Sequence, residues 1–142
     1  MTRLGDYDLS TPNASRRKKS DFDNRIRLIN NSNADLYLSI HLNVFSDSKY
    51  RGPQVFYSNV LESNKFVAKI MQKNLNNFTS TKRNEKIIFN TYMFDKLNIP
   101  GVLIECGFLS NYFDRINLVN EEYQNNLSEV IINTIIEYFS KF

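Results

Sequence analysis

The chain has 142 residues, of which 42% are hydrophobic and 13% aromatic, and its formal net charge is +3. The length fits one domain, residues 1–142, with a core of its own, and the composition excludes a disordered chain. The single cysteine, Cys106, excludes an internal disulfide. No stretch is long and apolar enough to span a membrane, and the amino terminus shows no signal-peptide core.

Much of the positive charge lies in one run, Arg16-Arg-Lys-Lys19. Such a run is typical of a solvated loop before a helix, and less often attracts an anionic polymer such as nucleic acid, a wall polymer or phospholipid. No aromatic residues are interleaved with these cations, which argues against a surface that stacks on bases. The sequence therefore predicts no nucleic-acid partner.

The first helix is predicted to start at Ser20, which has the side chain of an N-cap and is followed three residues later by Asp23. Apolar residues then recur at helical spacing, at Phe22, Ile26 and Ile29. The asparagine-rich segment 31–33 ends this helix.

The chain next alternates strands and helices. Residues 35–41 form a predicted strand whose core face carries three aliphatic residues, Leu36, Leu38 and Ile40. A loop ending in Gly52-Pro53 leads to a second strand over residues 54–58, and from Glu62 the pattern becomes helical. The apolar stripe of that helix consists of Phe66, Val67, Ile70, Met71 and Leu75.

The second half of the chain is predicted to contain two more strands and a final helix. Residues 91–94 indicate a short strand, and residues 102–106 form the most apolar strand. Gly107 and Asn111 mark a loop, and Asn120 caps the final helix. This alternation predicts an α/β fold, a layered and mostly parallel sheet with helices on both faces. Ligands of such sheets bind beyond the carboxyl ends of the strands.

His41 is the only histidine and ends the strand over residues 35–41. On position alone it is either a hydrogen-bonded structural residue or a group that binds a metal or transfers a proton. A zinc cluster of cysteines and histidines is excluded, because one histidine and one cysteine are too few. A mononuclear zinc site would need its other ligands from aspartate or glutamate.

Glu105 interrupts the apolar strand over residues 102–106. An ionised carboxylate there is costly to bury unless it is paired, bound to a metal or protonated. Either Glu105 reaches solvent or a basic neighbour such as Arg83, or it is a general base whose pKa is raised by its apolar surroundings. The apolar pattern indicates that Cys106 is a small buried hydrophobe. The weaker alternative is a cysteine hydrolase, in which Cys106 is the nucleophile and His41, the only imidazole, is its base.

Two segments together resemble a known family, Ser39-Ile-His-Leu-Asn43 and Leu103-Ile-Glu-Cys-Gly-Phe-Leu-Ser-Asn111. They are similar to segments of the zinc-dependent N-acetylmuramoyl-L-alanine amidases of the type 3 amidase family, above all the germination-specific spore-cortex amidases of the CwlD type. Further matching pieces follow the family's order along nearly the whole chain: Thr2-Arg3, Asp6, Arg16-Arg17-Lys18, Arg25 to Asn30, Asn33-Ala-Asp35, Gly52, Gln54-Val-Phe-Tyr57, Pro100 and Glu122-Tyr-Gln124.

The resemblance implies hydrolysis of the amide between N-acetylmuramic acid and L-alanine of the peptidoglycan stem peptide. It places this reaction outside the cytoplasm, in the cell wall or the spore cortex, during sporulation or germination. It also implies one zinc ion held by two histidines and a glutamate, and a further glutamate that acts on the metal-bound water. His41 matches the second zinc histidine and Glu105 matches that catalytic glutamate. Asn43 and Gln54 are candidates for the wall of the site, and no substrate-binding residue is otherwise assigned.

The chain departs from the family at its start. Family members carry an aspartate-proline-glycine-histidine-glycine segment on a first strand and a glutamate on the following helix, both before the pair that is Thr2-Arg3 here. No residue of this chain matches those two zinc ligands, and one ligand is too few to hold zinc well. The sequence therefore predicts a domain truncated relative to the family, with a bare apolar sheet edge and impaired activity.

The alternative hypothesis is a non-catalytic remnant of the amidase fold that binds peptidoglycan or regulates an amidase. In this hypothesis the domain retains the substrate groove of the amidase fold but binds no zinc. Both hypotheses predict peptidoglycan as the partner, and neither identifies a protein partner.

Overall fold

The computed structural model describes residue 5 and residues 7–141, in which a four-stranded sheet lies between helices on both faces. The strands are β1 (Tyr37–Asn43), β2 (Gln54–Tyr57), β3 (Lys86–Ile87) and β4 (Gly101–Phe108). The helices are α1 (Arg17–Asn30), α2 (Glu62–Thr79), α3 (Tyr112–Leu118) and α4 (Glu121–Phe139), with a 3-10 turn at Phe94–Lys96. The predicted α/β fold class is confirmed. No helix in the described ranges is long and apolar enough to cross a membrane.

The strand order is β1-β4-β2-β3, so the most apolar strand, β4, lies inside the sheet. β1 pairs with β4 and β2 with β3 in parallel, whereas β2 runs antiparallel to β4, which makes the sheet mixed. Because β2 is antiparallel, its first residues lie at the same end of the sheet as the last residues of β1 and β4. We call this end the sheet mouth. Within the described part of the chain, β1 pairs on one side only.

The core forms on both faces of the sheet. On one face, α2 and α4 cover β2 and β4 through a cluster that contains Val55, Val67, Met71, Leu75, Val102, Ile104, Cys106 and Leu127. On the other face, Ile29 of α1 packs with Phe94, Leu97 and Leu103. Side chains of a strand alternate between faces, so Val102, Ile104 and Cys106 of β4 belong to the first cluster and Leu103 to the second.

The first helix starts earlier than predicted. It begins at Arg17, and Ser20 lies within it instead of capping it. The Ser20 hydroxyl accepts a hydrogen bond from the backbone N–H of Thr11 at 2.8 Å. Ser20 therefore ties the preceding segment to the helix, a role that a local N-cap pattern does not reveal.

Two further predictions for the second half of the chain are wrong. The predicted strand over residues 91–94 is a turn that leads into the 3-10 helix, and Phe94 is buried against α1. Gly107 belongs to β4 and not to the loop, whereas Asn111 lies in the turn after β4 as predicted and caps α3, a helix that the sequence analysis did not predict. No residue of α3 is buried, so the helix carries no apolar stripe that would have indicated it.

Candidate active site

His41 and Glu105 lie directly opposite each other in the β1–β4 pair, near the sheet mouth. Paired parallel strands are about 4.8 Å apart, and both side chains project from the face that α1 covers. The sequence analysis proposed these two residues independently of any register. The parallel pairing brings them together because equivalent positions of both strands reach the same level of the sheet.

Glu105 is half-buried, and its Oε2 atom is buried without a hydrogen-bond partner in the described part of the chain. Burial raises the pKa of this carboxyl above its ordinary value of 4.5, and the nearby His41 opposes the shift in part. The guanidinium of Arg83, the basic neighbour considered from the sequence, donates instead to Gln54 and to the backbone carbonyl of Arg51. Glu105 is thus a carboxyl held in apolar surroundings without a fixed cationic partner.

The His41 side chain is exposed, and its imidazole makes no hydrogen bond to another described residue. The hypothesis of a hydrogen-bonded structural histidine therefore finds no support among these residues. An exposed imidazole beside a partly buried carboxyl is accessible to a ligand.

Gln54 lies opposite Glu105 on the other side of β4, but its side chain is 1% exposed and already engaged. Its amide donates to Gln72 at 3.1 Å and to the carbonyl of Asn84 at 2.6 Å, and its oxygen accepts from Arg83 at 3.0 Å. Gln54 therefore connects the sheet mouth to α2 and to the segment that contains Arg83. Asn43, the other candidate wall residue, is half-buried where the β1–β4 register shifts.

Cys106 faces away from the candidate site. It is 5% exposed within the cluster under α2 and α4, and burial raises the pKa of its thiol to about 11. His41 lies on the opposite face of the sheet, so a Cys106–His41 pair cannot form. This geometry overturns the cysteine-hydrolase hypothesis and confirms that Cys106 is a buried hydrophobe.

One carboxylate that the sequence analysis missed holds the sheet mouth together. The Oδ2 atom of Asp114 accepts hydrogen bonds from the backbone N–H groups of Gly52 and Phe108, each at 2.8 Å. Asn111 caps α3 and also donates to the carbonyl of Ser48 at 2.7 Å. The loop over residues 44–53 is thereby fixed to the end of β4. The spacing of Asn111 and Asp114 resembles a capping box, and this was the one sequence pattern that could have indicated the role of Asp114.

The basic run over residues 16–19 is partly neutralised. Arg17 pairs with Asp8 at 2.6 Å and Lys19 pairs with Asp23 at 2.7 Å. These contacts favour the hypothesis of a solvated helix start over that of an anion-binding surface.

The family resemblance implies zinc, and the described residues do not fit a tight zinc site by themselves. They contain no group of three or more histidine, cysteine, aspartate or glutamate residues that could hold a metal ion. The Oε2 atom of Glu105 has no hydrogen-bond partner and could therefore bind a metal ion. Even so, His41 and Glu105 together supply only two metal-binding side chains. Tight structural and catalytic zinc sites use at least three protein ligands.

Comparison with known proteins places the chain in a family. Residues 1–137 match the type 3 amidase family, described as N-acetylmuramoyl-L-alanine amidase. The chain belongs to this family. Of its matching pieces, Thr2-Arg3 and Asp6 lie outside the described residues.

Three relatives illustrate the match. The chain is 41% identical to the germination-specific N-acetylmuramoyl-L-alanine amidase of Bacillus subtilis (strain 168), covering 99% of this chain and 61% of that protein. The solved structure of the CwlD amidase from Clostridioides difficile, in complex with the GerS lipoprotein, superposes with a TM-score of 0.90 at 36% identity, covering 99% of this chain and 75% of that one. An N-acetylmuramoyl-L-alanine amidase from Clostridium difficile 630 gives a TM-score of 0.76 at 30% identity, covering 84% and 65%. The chain spans about three fifths of the length of the Bacillus relative.

Proposed function

We propose that residues 1–142 form one domain, which belongs to the catalytic domain of an N-acetylmuramoyl-L-alanine amidase. Its substrate is the amide between N-acetylmuramic acid and L-alanine in peptidoglycan. The observation that carries the proposal is the pairing of Glu105 with His41 at the sheet mouth, in a chain of the amidase family. The name of the Bacillus relative supports a role in spore germination.

Glu105 is the general base and then the general acid in this proposal. Its raised pKa suits a carboxylate that takes a proton from water as the water oxygen adds to the amide carbonyl. The same proton then passes to the leaving nitrogen of L-alanine as the carbon–nitrogen bond breaks. The unpartnered Oε2 is available for both transfers because no described residue occupies it.

His41 holds the position of a zinc ligand by its match to the family. The described residues supply no complete donor set, so we assign no step of the reaction to a metal. We expect the 142-residue chain alone to bind zinc weakly and to turn over substrate slowly.

A second candidate function, the non-catalytic peptidoglycan-binding or regulatory remnant, is favoured by the same incomplete donor set. It requires binding of peptidoglycan fragments without release of L-alanine termini. The DNA upstream of codon 1 separates the two candidates. An in-frame histidine-containing segment favours the catalytic one, and a stop codon next to a ribosome-binding site favours the remnant.

The experiment is incubation of the purified chain with spore-cortex peptidoglycan and added zinc, followed by chemical labelling of new amino-terminal alanine. The proposal predicts slow release that Glu105→Gln abolishes and that the exposed-site control Glu121→Gln leaves unchanged. Release that is independent of Glu105, or cleavage of the glycan instead of the amide, contradicts it. Stoichiometric and tight zinc in the purified chain refutes the expectation of impairment.

The place of action is proposed from the relatives. Cell-wall and cortex amidases act outside the cytoplasm, so we propose that this chain does so as well. The Clostridioides CwlD amidase was solved with the GerS lipoprotein, and capture of a lipoprotein by the tagged chain tests whether a comparable partner exists here.

A further inference from the structure

A pocket of about 490 Å³ lies at the sheet mouth and carries an excess of positive charge. Four cations line it, Lys49, Arg51, Lys82 and Arg83, against the single carboxylate of Asp47. None of the four cations forms an ion pair with a carboxylate among the described residues. The pocket therefore has a local positive potential that would favour an anion.

Arg83 is the ordered cation of this pocket. Its Nε donates to Gln54 at 3.0 Å and its Nη1 donates to the carbonyl of Arg51 at 2.9 Å. Its guanidinium lies over the ring of Phe108, 5.0 Å from the ring centroid. These contacts fix the guanidinium plane and use two of its five N–H groups.

The rest of the Arg83 guanidinium has no protein partner in the described ranges. It is half-buried, and burial lowers its pKa although Asp114 opposes the shift. Asp114 accepts two backbone hydrogen bonds and forms no ion pair with it. A partly desolvated guanidinium without a counter-ion is costly, and a carboxylate that binds its free edge through two hydrogen bonds would offset this cost.

The position of Arg83 relates the pocket to the candidate active site. Its partner Gln54 lies directly opposite Glu105 in the β2–β4 pair. Arg83 is therefore connected through Gln54 to the position of Glu105 on the neighbouring strand.

We infer that Arg83 binds a free carboxylate of the stem peptide, on the peptide side of the amide that lies at Glu105. The inference rests on the proposed function, since that function puts the scissile amide at Glu105. The second stem residue is a D-glutamate linked through its γ-carboxyl, so its α-carboxylate is free. Arg83 then binds the peptide side of the substrate and positions the scissile amide at Glu105, without contact to the reacting atoms.

The test is calorimetric binding of N-acetylmuramoyl-L-alanyl-D-glutamate γ-methylamide, with its α-carboxylate either free or amidated. We expect the parent chain to bind the free acid about tenfold more tightly than the amide, as one charge-assisted pair predicts. Arg83→Gln should abolish this preference and Arg83→Lys should retain part of it. Lys65→Gln, an exposed cation at the far end of α2, should leave it unchanged. Far-ultraviolet circular dichroism and thermal unfolding check that each variant is folded.

The inference is overturned if the parent chain does not prefer the free acid, or if Arg83→Gln keeps the preference. Tighter binding of a glycerol phosphate oligomer than of the peptide also overturns it, because the pocket would then serve a phosphate polymer. The amidase proposal fails separately. If alanine is released without Glu105 while the chain still prefers the free acid, only the proposed amidase function is refuted. If release depends on Glu105 but the chain does not prefer the free acid, only the proposed role of Arg83 is refuted.

Discussion

The Asp114 carboxylate offers a quantitative test of how the sheet mouth is held. Asp114→Ala removes both acceptors at once, for the N–H of Gly52 and for that of Phe108. Hydrogen bonds to a charged group contribute about 1.5–3 kcal/mol each, and the lower end applies because Asp114 is only half-buried. Loss of an acidic residue from the first turn of α3 adds about 0.3–1 kcal/mol. We expect the free energy of unfolding to fall by about 3–4 kcal/mol.

Urea unfolding followed by far-ultraviolet circular dichroism measures this loss, since the chain contains no tryptophan. Asp114→Asn keeps an acceptor oxygen without the charge and should lose about half as much. Asp47→Ala is the matched control, because Asp47 is exposed in the same loop and makes one local contact with the backbone of Lys49. Its cost should stay within about 0.5 kcal/mol. A loss below about 1 kcal/mol for Asp114→Ala would refute the proposed clamp.

Three further predictions follow from the structure. The raised pKa of Glu105 means that its stabilising contribution is complete below pH 4.5 and is lost as the pH rises through the folded-state value. Glu105→Gln should therefore reduce the fall in Tm between pH 4 and pH 7, and an equal fall in both proteins contradicts the assignment. Gly52→Ala should lower the free energy of unfolding by about 2–3 kcal/mol in urea titrations. The reason is that Gly52 has φ +82° and an added Cβ would lie 2.5 Å from Thr81 Cγ2. An unchanged free energy of unfolding would argue against this geometry. The Cys106 thiol should react with a disulfide reagent far more slowly in the native chain than in urea, because burial raises its pKa to about 11. Fast labelling of the native chain would show that Cys106 is not buried.

Local patterns predicted those parts of the fold whose signal lies within one segment. The apolar stripe of α2 predicted that helix from Glu62, where it begins, and Asn120 caps α4 with its side chain on the N–H of Tyr123. The start of α1 and the whole of α3 were not predicted. α1 is tied through Ser20 to the segment just before it, and α3 buries none of its residues. Helix periodicity and caps carry no information about such contacts.

The sequence by itself determined the family and its two candidate residues, His41 and Glu105, because each lies in a short motif at a strand end. Only the tertiary structure decided that they lie opposite each other, since strand register depends on how separate strands pair. It also separated Cys106 from His41, through the alternation of faces along β4. The clamp between Gly52 and Asp114 joins residues 62 apart in sequence, and Arg83 reaches Gln54 across 29. Such contacts arise from the antiparallel placement of β2, which brings distant loops to one end of the sheet.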